Sequence, residues 1–415
     1  MKKNLYIALG LLVVFSMLLG ACAPKAAPTA VPTQPAKPVT ITIWHGWTGD
    51  YLTAIAQAFK DYTTAHPNVT IELNNPDPLS DALRVAIPAG EGPDIIAWAN
   101  DQIGSNALVG NIVPLDDYGV NMAFMNSTYE PAAVAGVVWQ NKIWGLPESQ
   151  EGIAFVYNKA LLTAEFLPTD PKDFTALLAK AKAFAEKNPG KFLVCNQGLG
   201  NPDAYHVAPI YFGFGMPGYV DDMGNVYMGS AESIAAAKWM VEFSKYAPKE
   251  TSHDLCKGMI TEGKAGAWWT GPWAIADLET AGIDYGILPM GSPFVGIKNL
   301  LLSKNAVDRG NAAVAVDVMK YFTSGEVQAK IALVNKTIPA ATAALKNPEV
   351  QKLYTLAGFG ASLNLGRPMG NTPFANAQWG PVGDATTALW NGAQTPEDAM
   401  AGAKAAIEKA IAEMK

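Results

Sequence analysis

The amino-acid sequence predicts an α/β fold in which helices cover both faces of an open, mostly parallel sheet. Strand and helix patterns follow one another in turn from residue 39 onward. Some runs of strand length are continuously apolar, as in a strand buried on both faces. The residues that follow residue 38 contain no further long apolar run and are numerous enough for two lobes.

The first α/β unit begins at residue 39. Residues 39–44 alternate apolar and polar side chains as a strand does, and a glycine turn follows at residues 45–49. Beyond the turn, apolar side chains recur at helical spacing, at Leu52, Ile55, Phe59 and Tyr62. The pattern then predicts a strand, a helix and a buried strand, at residues 69–73, 78–88 and 94–98. Ligands of such sheets bind at the carboxyl ends of the strands.

The chain ends in a predicted packing helix. Thr395 is a suitable N-cap, Pro396 suits the first helical position, and two acidic residues follow in the first turn. Apolar residues then recur at helical spacing, at Met400, Ala403, Ile407, Ala410 and Met414.

The N-terminal residues have the pattern of a lipoprotein signal peptide. Lys2 and Lys3 precede an apolar run, residues 5–19, that is shorter than the about 20 residues of a membrane span. Small residues then lead to Cys22, which predicts cleavage after residue 21 and lipidation of Cys22. The alternative is an uncleaved anchor helix, and either interpretation places the protein at the outer face of the cytoplasmic membrane.

Residues 22–38 predict a tether between the membrane and the folded body. After Cys22 the segment is almost entirely Ala, Pro, Thr and Lys, a composition that cannot build a core. Loss of residues 1–21 removes two lysines and no acid, which leaves 28 basic against 37 acidic residues. This acidic balance predicts neither nucleic acid nor an anionic lipid surface as a partner.

The exported chain keeps two further cysteines, Cys195 and Cys256. Outside the cytoplasm an even pair is more often a disulfide than two free thiols. A metal site is the weaker explanation, because there is no CxxC pattern and only His206 and His253 lie nearby in sequence. We therefore predict a disulfide, and no metal or cofactor.

Tryptophans recur beside glycines, prolines and carboxylates, a pattern typical of sugar recognition. A pyranose packs its C–H face on an aromatic ring and offers hydroxyls to acceptors, which are best supplied by ionised carboxylates. Core tryptophans look the same in sequence, so about half of them are predicted to be packing residues. These are Trp44, Trp139, Trp144, Trp268 and Trp390.

Three segments carry a resemblance to a known family. They are Gly92-Pro93-Asp94-Ile95-Ile96-Ala97-Trp98-Ala99-Asn100-Asp101, Leu146-Pro147 through Glu151 to Tyr157-Asn158-Lys159, and Gly271-Pro272-Trp273. In order and spacing they resemble the bacterial ABC-transporter extracellular solute-binding proteins of family 1. The Tyr-Asn-Lys and Gly-Pro-Trp pieces mark the wider family, whereas Ile-Ile-Ala-Trp-Ala-x-Asp points to its maltose/maltodextrin-binding group.

The resemblance implies eight ligand-contacting residues: rings that stack on glucose, acids that accept from hydroxyls, and two residues of the first glycine turn. They are Trp98, Trp273, Trp379 and Tyr205 for the rings, Asp101 and Glu151 for the acids, and Trp47 and Thr48 for the turn. The implied function is that of a monomeric sugar-binding lipoprotein, not an enzyme. It would deliver a maltose-like oligosaccharide to the permease subunits of an ABC importer.

The same resemblance implies a periplasmic-binding-protein type II-like fold, with two α/β lobes joined by a three-segment hinge. The N-lobe would comprise residues 39–151 and 296–336, and the C-lobe residues 152–295 and 337–415. The crossings are expected near Glu151–Ile153, Phe294–Gly296 and Thr337–Pro339. The sugar would then bridge both lobes, and hinge closure would report its presence.

The sequence also departs from the maltose group. Gln102 stands where that group has a basic residue, and Trp47-Thr48 stands where the first turn usually carries an acidic and a basic ligand. Trehalose, longer maltodextrins and other glucosides therefore stay open as ligands.

A glycoside hydrolase is the alternative from another class, because aromatic rings and a pair of acids such as Asp101 and Glu151 also serve hydrolysis. The GxSxG, HExxH and GxxxxGK[ST] motifs are absent. Residues 213–218 fit GxGxxG, but Pro217-Gly218 predicts a turn where a dinucleotide site needs a helix to begin. We therefore expect a loop there.

Overall fold

The computed structural model describes residues 37–414, so the predicted signal peptide, Cys22 and most of the tether lie outside the described residues. Within residues 37–414, no helix has the length and apolar character needed to cross a membrane. The strands of this part are β1 (Val39–His45), β2 (Val69–Asn74), β3 (Ile95–Ala99), β4 (Val138–Trp139), β5 (Lys142–Ile143), β6 (Gly145–Glu151), β7 (Ala154–Asn158), β8 (Phe192–Cys195), β9 (Ala265–Thr270), β10 (Tyr285–Leu288), β11 (Phe294–Leu302), β12 (Ile338–Pro339) and β13 (Arg367–Pro368).

The α-helices of the described residues are α1 (Gly49–Ala65), α2 (Leu79–Ala89), α3 (Ile103–Leu108), α4 (Met122–Thr128), α5 (Pro131–Val137), α6 (Phe174–Lys187), α7 (Ala204–Gly213), α8 (Ala231–Phe243), α9 (His253–Thr261), α10 (Ile275–Thr280), α11 (Lys304–Asp308), α12 (Ala312–Phe322), α13 (Gly325–Asn335), α14 (Thr342–Leu345), α15 (Pro348–Gln351), α16 (Tyr354–Leu363), α17 (Trp379–Trp390) and α18 (Pro396–Glu413). Short 3₁₀ turns occur at Asn100–Gln102, Asp116–Tyr118, Ser244–Tyr246, Pro272–Ala274 and Pro373–Ala377.

The first α/β unit and the last helix agree with the predicted pattern. β1, β2, α2 and β3 begin and end within a residue of the expected bounds. α1 contains the four apolar positions expected in a helix and buries three of them, Ile55, Phe59 and Tyr62. At the start of α18, Thr395 Oγ1 accepts from the backbone N–H of Asp398 at 3.2 Å. The predicted loop over residues 213–218 is also confirmed, since α7 ends at Gly213 and α8 begins only at Ala231.

The first lobe is built on a sheet with strand order β12-β6-β11-β3-β1-β2, in which β13 also pairs with β11. β1 runs parallel to β2 and β3, as the βα alternation predicts. β11 is antiparallel to β3 and β6, and β12 is antiparallel to β6. The prediction of a mostly parallel sheet is therefore wrong. β6 and β11 belong to segments that leave and re-enter this lobe, so they run in opposite directions.

The second lobe has a four-stranded sheet with the order β10-β7-β9-β8. β7 is antiparallel to both neighbours, whereas β8 and β9 are parallel. Every residue of β9 is buried, including Trp268 and Trp269. Helices α7, α8, α17 and α18 contribute to the core on one side of this sheet.

The chain passes between the sheets at three places. The first crossing joins β6 to β7, and the second joins β10 to β11. The third lies later than predicted. Residues 340, 341, 344 and 350 are buried in the first-lobe core, and α16, which begins at Tyr354, packs on β10 of the second lobe. The boundary predicted at residue 337 is therefore too early, because the chain first forms α14 and α15 on the first lobe.

Residues 367–377 lie between the two lobes. Asn371 donates through Nδ2 to the first-lobe carbonyls of residues 136 and 138 at 3.0 Å. Asn376 donates through Nδ2 to Ser105 Oγ at 2.6 Å and accepts at Oδ1 from Gln102 Nε2 at 3.0 Å. These four side chains, of residues 102, 105, 371 and 376, form a polar contact between the lobes that we call the interlobe seam.

Candidate functional site

An aromatic cavity of about 520 Å³ lies between the two lobes. Its walls include six of the eight residues expected to contact ligand: Trp98, Asp101, Glu151, Tyr205, Trp273 and Trp379. Gln102, Asp203, His206, Lys298 and Met369 complete much of the wall. A volume of this size is typical of a site for a small organic molecule.

The secondary structure explains why these six side chains converge. Trp98 lies near the end of β3, Asp101 lies in the 3₁₀ turn that follows it, and Glu151 ends β6. From the second lobe, Tyr205 lies in the first turn of α7, Trp273 in the turn after β9, and Trp379 at the start of α17. The residues therefore come from strand ends and helix starts, the edge at which α/β sheets bind ligands.

Asp101 joins the two lobes through its carboxylate. Its Oδ2 accepts from the indole Nε1 of Trp379 at 3.0 Å and from Gln102 Nε2 at 2.8 Å. Burial raises the pKa of Asp101, although these two hydrogen bonds and the charge of Lys298 oppose the rise. Its Oδ1 is buried and has no hydrogen-bond partner within the described residues. This oxygen is available to a ligand in the cavity.

Glu151 is the second carboxylate of the aromatic cavity. Only 4% of the residue is exposed, and burial raises its pKa, whereas the ammonium of Lys298 opposes that rise. Lys298 Nζ lies 3.8 Å from Glu151 Oε2, and Ser149 Oγ donates to Glu151 Oε1 at 3.4 Å. The carboxylate is thus held at the crossing between the lobes by one weak hydrogen bond and one ion pair.

The tryptophans divide into two groups in the structure. Trp98, Trp273 and Trp379 are half-buried at the cavity, whereas Trp144, Trp268 and Trp390 are buried in the lobe cores. Trp44 and Trp139 pack partly buried against the first-lobe core. All five tryptophans predicted to pack are therefore packing residues.

A second cavity of about 630 Å³ adjoins the first, and Trp98, Glu151, Trp273 and Lys298 line both. We call it the charged cavity because Glu148, His253, Asp254, Lys257 and Asp277 are among its remaining lining residues. The two remaining predicted residues, Trp47 and Thr48, lie here rather than in the aromatic cavity.

Trp47 lines the charged cavity but is largely buried. The residue is only 7% exposed, and its ring centroid lies 6.2 Å from that of Phe59 and 5.7 Å from that of Phe322. The ring is therefore largely part of the first-lobe core. Thr48 is exposed at the cavity rim and carries no charge.

Sequence reasoning missed Glu148 and Lys298. In a regular strand, residues 148 and 151 would point to opposite faces. Here the register of β6 against β11 shifts: Lys298 lies opposite Ser149, the next residue of β11 lies opposite residue 147, and Glu148 is left unpaired. This bulge lets Glu148 and Glu151 line the same cavity. The two glutamates three residues apart were the available signal, but the bulge has no sequence signature.

Asp203 and His206 are a further pair at the wall of the aromatic cavity that the sequence did not identify. His206 Nδ1 lies 2.8 Å from Asp203 Oδ2, a close contact whose geometry is not that of a hydrogen bond. Burial opposes ionisation of Asp203, but the neighbouring imidazole and hydrogen bonds from the Gln197 side chain and the backbone of His206 outweigh it and lower the pKa of Asp203. Asp203 also caps α7 by accepting from the backbone N–H of His206. The pair therefore fixes the start of the helix that carries Tyr205.

Cys195 and Cys256 are bonded to each other in the structure. The bond links the end of β8 to α9, the helix that brings residues 253, 254 and 257 to the charged cavity. Among the described residues, no group of three His, Cys, Asp or Glu side chains is arranged to hold a metal ion.

Comparison with known families identifies the chain. The family model of the bacterial extracellular solute-binding proteins matches residues 57–358, which is more than half of the chain. The chain belongs to this family. This solute-binding protein is 28% identical over 356 residues to the maltotriose-binding protein of Pyrococcus abyssi, covering 82% of this chain and 75% of that protein. It is 24% identical over 409 residues to the galactooligosaccharide-binding protein of Bacillus subtilis, covering 93% and 92%.

Solved structures share the fold of this solute-binding protein. The maltose/maltodextrin-binding domain MalE from Bdellovibrio bacteriovorus, bound to maltotriose, has a TM-score of 0.80 at 23% identity and covers 90% of this chain and 100% of its own. The Thermus thermophilus maltotriose-binding protein, also with maltotriose, has a TM-score of 0.77 at 22% identity and covers 89% and 100%. The predicted two-lobe α/β fold is thereby confirmed.

Proposed function

We propose that this solute-binding protein is the sugar-capturing component of an ABC importer and that its ligand is a maltooligosaccharide such as maltotriose. The observation that carries the proposal is the convergence of four aromatic rings and two carboxylates on one cavity between the lobes. In this account the rings stack on the C–H faces of glucose units. The carboxylates accept hydrogen bonds from the hydroxyl groups.

Trp379 and Asp101 act together in this account. The hydrogen bond from Trp379 to Asp101 Oδ2 leaves Oδ1 as the acceptor that is not yet engaged. A sugar hydroxyl that donates to Oδ1 would supply a partner to a buried oxygen, and an unsatisfied group of this kind costs about 1–3 kcal/mol. Ligand binding therefore gains more at this position than one ordinary surface hydrogen bond would give.

The relatives favour glucose oligosaccharides over other sugars. One relative is named for maltotriose and another, from Bacillus subtilis, for maltodextrin, at 28% and 26% identity. The relative named for galactooligosaccharides matches a larger share of this chain, 93%. A galactooligosaccharide is therefore the second candidate ligand, and the experiment below includes it.

Hinge closure is the proposed signal to the importer. Residues from both lobes line the aromatic cavity, so a sugar that contacts them stabilises the closed arrangement over an open one. The interlobe seam also joins the lobes, and its Gln102 lines the aromatic cavity. We propose that the permease subunits recognise the closed form.

We further propose that the protein binds sugar without cleaving it. In a glycoside hydrolase one of the two acids is kept protonated and the other ionised, because their environments shift their pKa values apart. Here burial raises the pKa of both Asp101 and Glu151, so the two shifts have the same direction rather than opposite ones. Incubation with maltotriose followed by assay for glucose tests this, and sustained release of glucose would contradict it.

The proposed location is the outer face of the cytoplasmic membrane, which agrees with an extracellular solute-binding family. A lipid on Cys22 would hold the monomeric protein there through the tether of residues 22–38. Mass measurement of the N-terminal peptide from membranes tests the anchor. A diacylated Cys22 is expected, whereas a peptide that begins at Met1 would contradict cleavage.

The ligand proposal is tested by titration calorimetry of the purified protein with maltose, maltotriose, trehalose, cellobiose and a galactotriose. We expect maltotriose to bind most tightly of the five. Tighter binding of galactotriose would replace the glucose assignment by the second candidate. Absence of binding by every sugar at millimolar concentration would contradict the proposed function.

A further inference from the structure

The charged cavity contains a buried carboxylate oxygen for which the protein provides no partner. Glu148 is 4% exposed, and its Oε1 accepts no hydrogen bond within the described residues. Tyr51 and Trp47 approach the same carboxylate from the first lobe, yet they leave Oε1 unsatisfied. Buried polar groups are nearly always hydrogen-bonded, so an exception at a cavity wall calls for a partner that enters the cavity.

The position of Glu148 is set by the backbone. Glu148 is the residue that the register shift between β6 and β11 leaves unpaired. Without this extra residue, the alternation of side chains along β6 would turn residue 148 away from the face that carries Glu151. Bulges are over-represented beside functional sites, where they redirect a side chain.

Lys298 supplies the complementary donor. It lines both cavities, and its Nζ lies 3.8 Å from Glu151 Oε2, a distance at which the charges attract but which is too long for a hydrogen bond. An ammonium has three N–H donors. The side chain is 41% exposed, so the ammonium can donate to a group in the cavity.

A sugar hydroxyl both donates and accepts, and neighbouring hydroxyls on one ring can therefore engage an acceptor and a donor at once.

The ionisable side chains of the charged cavity come from elements other than the first glycine turn. The turn offers only Trp47, which is largely buried, and the uncharged Thr48. Glu148 and Lys298, from β6 and β11, provide a carboxyl group with an unengaged acceptor oxygen and an ammonium donor at the same cavity.

We propose that the charged cavity binds the terminal sugar unit of the ligand, with Glu148 as hydroxyl acceptor and Lys298 as hydroxyl donor. Glu148 then determines the length of the preferred ligand, because it lines only the charged cavity and a saccharide must extend from the aromatic cavity to reach it, whereas Lys298 borders both cavities. The shared walls at Trp98 and Trp273 make the two cavities continuous. This inference rests on the proposed function and names the part of the ligand that each cavity receives.

The test compares binding of maltose and maltotriose by calorimetry for the wild-type protein, Glu148→Ala and Lys298→Met. Glu130→Ala is the matched control, because Glu130 is a partly buried glutamate of the first lobe that lines neither cavity. We expect the wild type and Glu130→Ala to prefer maltotriose over maltose by about tenfold or more. Glu148→Ala should lose about tenfold in affinity for maltotriose and little for maltose, whereas Lys298→Met, which also removes the ion pair with Glu151, should lose more affinity for maltotriose than for maltose.

The outcomes separate the two proposals. Wild-type binding of maltotriose with an unchanged preference in both cavity variants would overturn the assignment of Glu148 and Lys298 alone. Equal losses for maltose and maltotriose would overturn it as well, because the residues would then act on every ligand rather than on a terminal unit. Failure of the wild type to bind any saccharide would overturn the proposed function itself. Lys298 is substantially exposed, so its variant should fold even if Glu148→Ala does not.

Discussion

The indole Nε1 of Trp379 donates a hydrogen bond to Oδ2 of Asp101 at 3.0 Å, and this bond joins a ring of the second lobe to a carboxylate of the first. The two residues are 278 positions apart in sequence. Both line the aromatic cavity, where the carboxylate keeps its other oxygen without a partner among the described residues. The cavity is therefore arranged so that a ligand contacts both lobes at one place.

Removal of a cavity ring should weaken binding more than it weakens folding. Trp379→Ala and Trp273→Ala are each expected to reduce the affinity for maltotriose by about 1–3 kcal/mol, because each loses a stacking surface. Both rings are half-buried, so the melting temperature of the free protein should change little. Trp139→Ala is the control, since Trp139 is equally half-buried but lines neither cavity. Collapse of the free protein in the cavity variants would mean that these rings belong to the core.

Asn376 of the interlobe seam should contribute to affinity although it does not line the aromatic cavity. Asn376→Ala removes its hydrogen bonds to Ser105 and Gln102, which is expected to cost the closed arrangement about 0.5–1.5 kcal/mol. If ligand requires that arrangement, affinity for maltotriose falls by the same amount. Calorimetry measures the affinity of Asn376→Ala for maltotriose. Asn391→Ala, which changes an exposed residue, is the control. Equal affinities in the two variants would show that the seam does not change on closure.

Stability should fall as pH rises through the titration of Glu148. Burial and the neighbouring charge of Glu151 raise the pKa of Glu148 from 4.5 to about 8. Between those values the folded protein holds a proton that the unfolded chain has released. The contribution of this protonation to the free energy of unfolding is therefore fully present below pH 4.5 and is lost as pH rises through about 8. The urea midpoint of the wild type should therefore decrease from pH 5 to pH 8.5 more steeply than that of Glu148→Gln. Identical pH profiles would contradict the assigned environment of Glu148.

The disulfide should stabilise the second lobe and, through α9, the charged cavity. Cys195 and Cys256 are separated by 61 positions, and closure of a loop of that size contributes about 4 kcal/mol in the chain-entropy model. The double variant Cys195→Ser/Cys256→Ser is expected to unfold at lower urea concentration by about this free energy. Mass spectrometry under non-reducing conditions checks the bond directly. Two free thiols in the purified protein would contradict it.

Much of the fold follows from patterns that are local in sequence. Period-two and helical spacing located β1, α1, β2 and α2, because each of these segments buries one face against the core. A continuous apolar run located β3, whose first three residues are all buried. The directions of β6 and β11 cannot be predicted from local sequence patterns. They depend on how the chain returns from the second lobe, and the alternation of strand and helix patterns alone therefore overestimated the parallel pairing.

Some residues of the candidate site could likewise be identified from short local segments, whereas others depend on contacts that are distant in sequence. The resemblance of short segments identified Trp98, Asp101, Glu151 and Trp273, and the structure brings them to one cavity. Glu148 was missed because its orientation depends on a bulge against a strand almost 150 residues away. Trp47, which is expected to contact ligand, lines the charged cavity, but its ring is largely buried because Phe322 of a distant helix packs on it.

A crystal structure of the protein grown with maltotriose would show which residues hold the sugar. We expect glucose rings on Trp273 and Trp379, a hydroxyl within hydrogen-bond distance of Asp101 Oδ1, and the terminal unit at Glu148 and Lys298. Maltotriose bound outside the cleft, or held by residues of one lobe only, would contradict binding between the lobes.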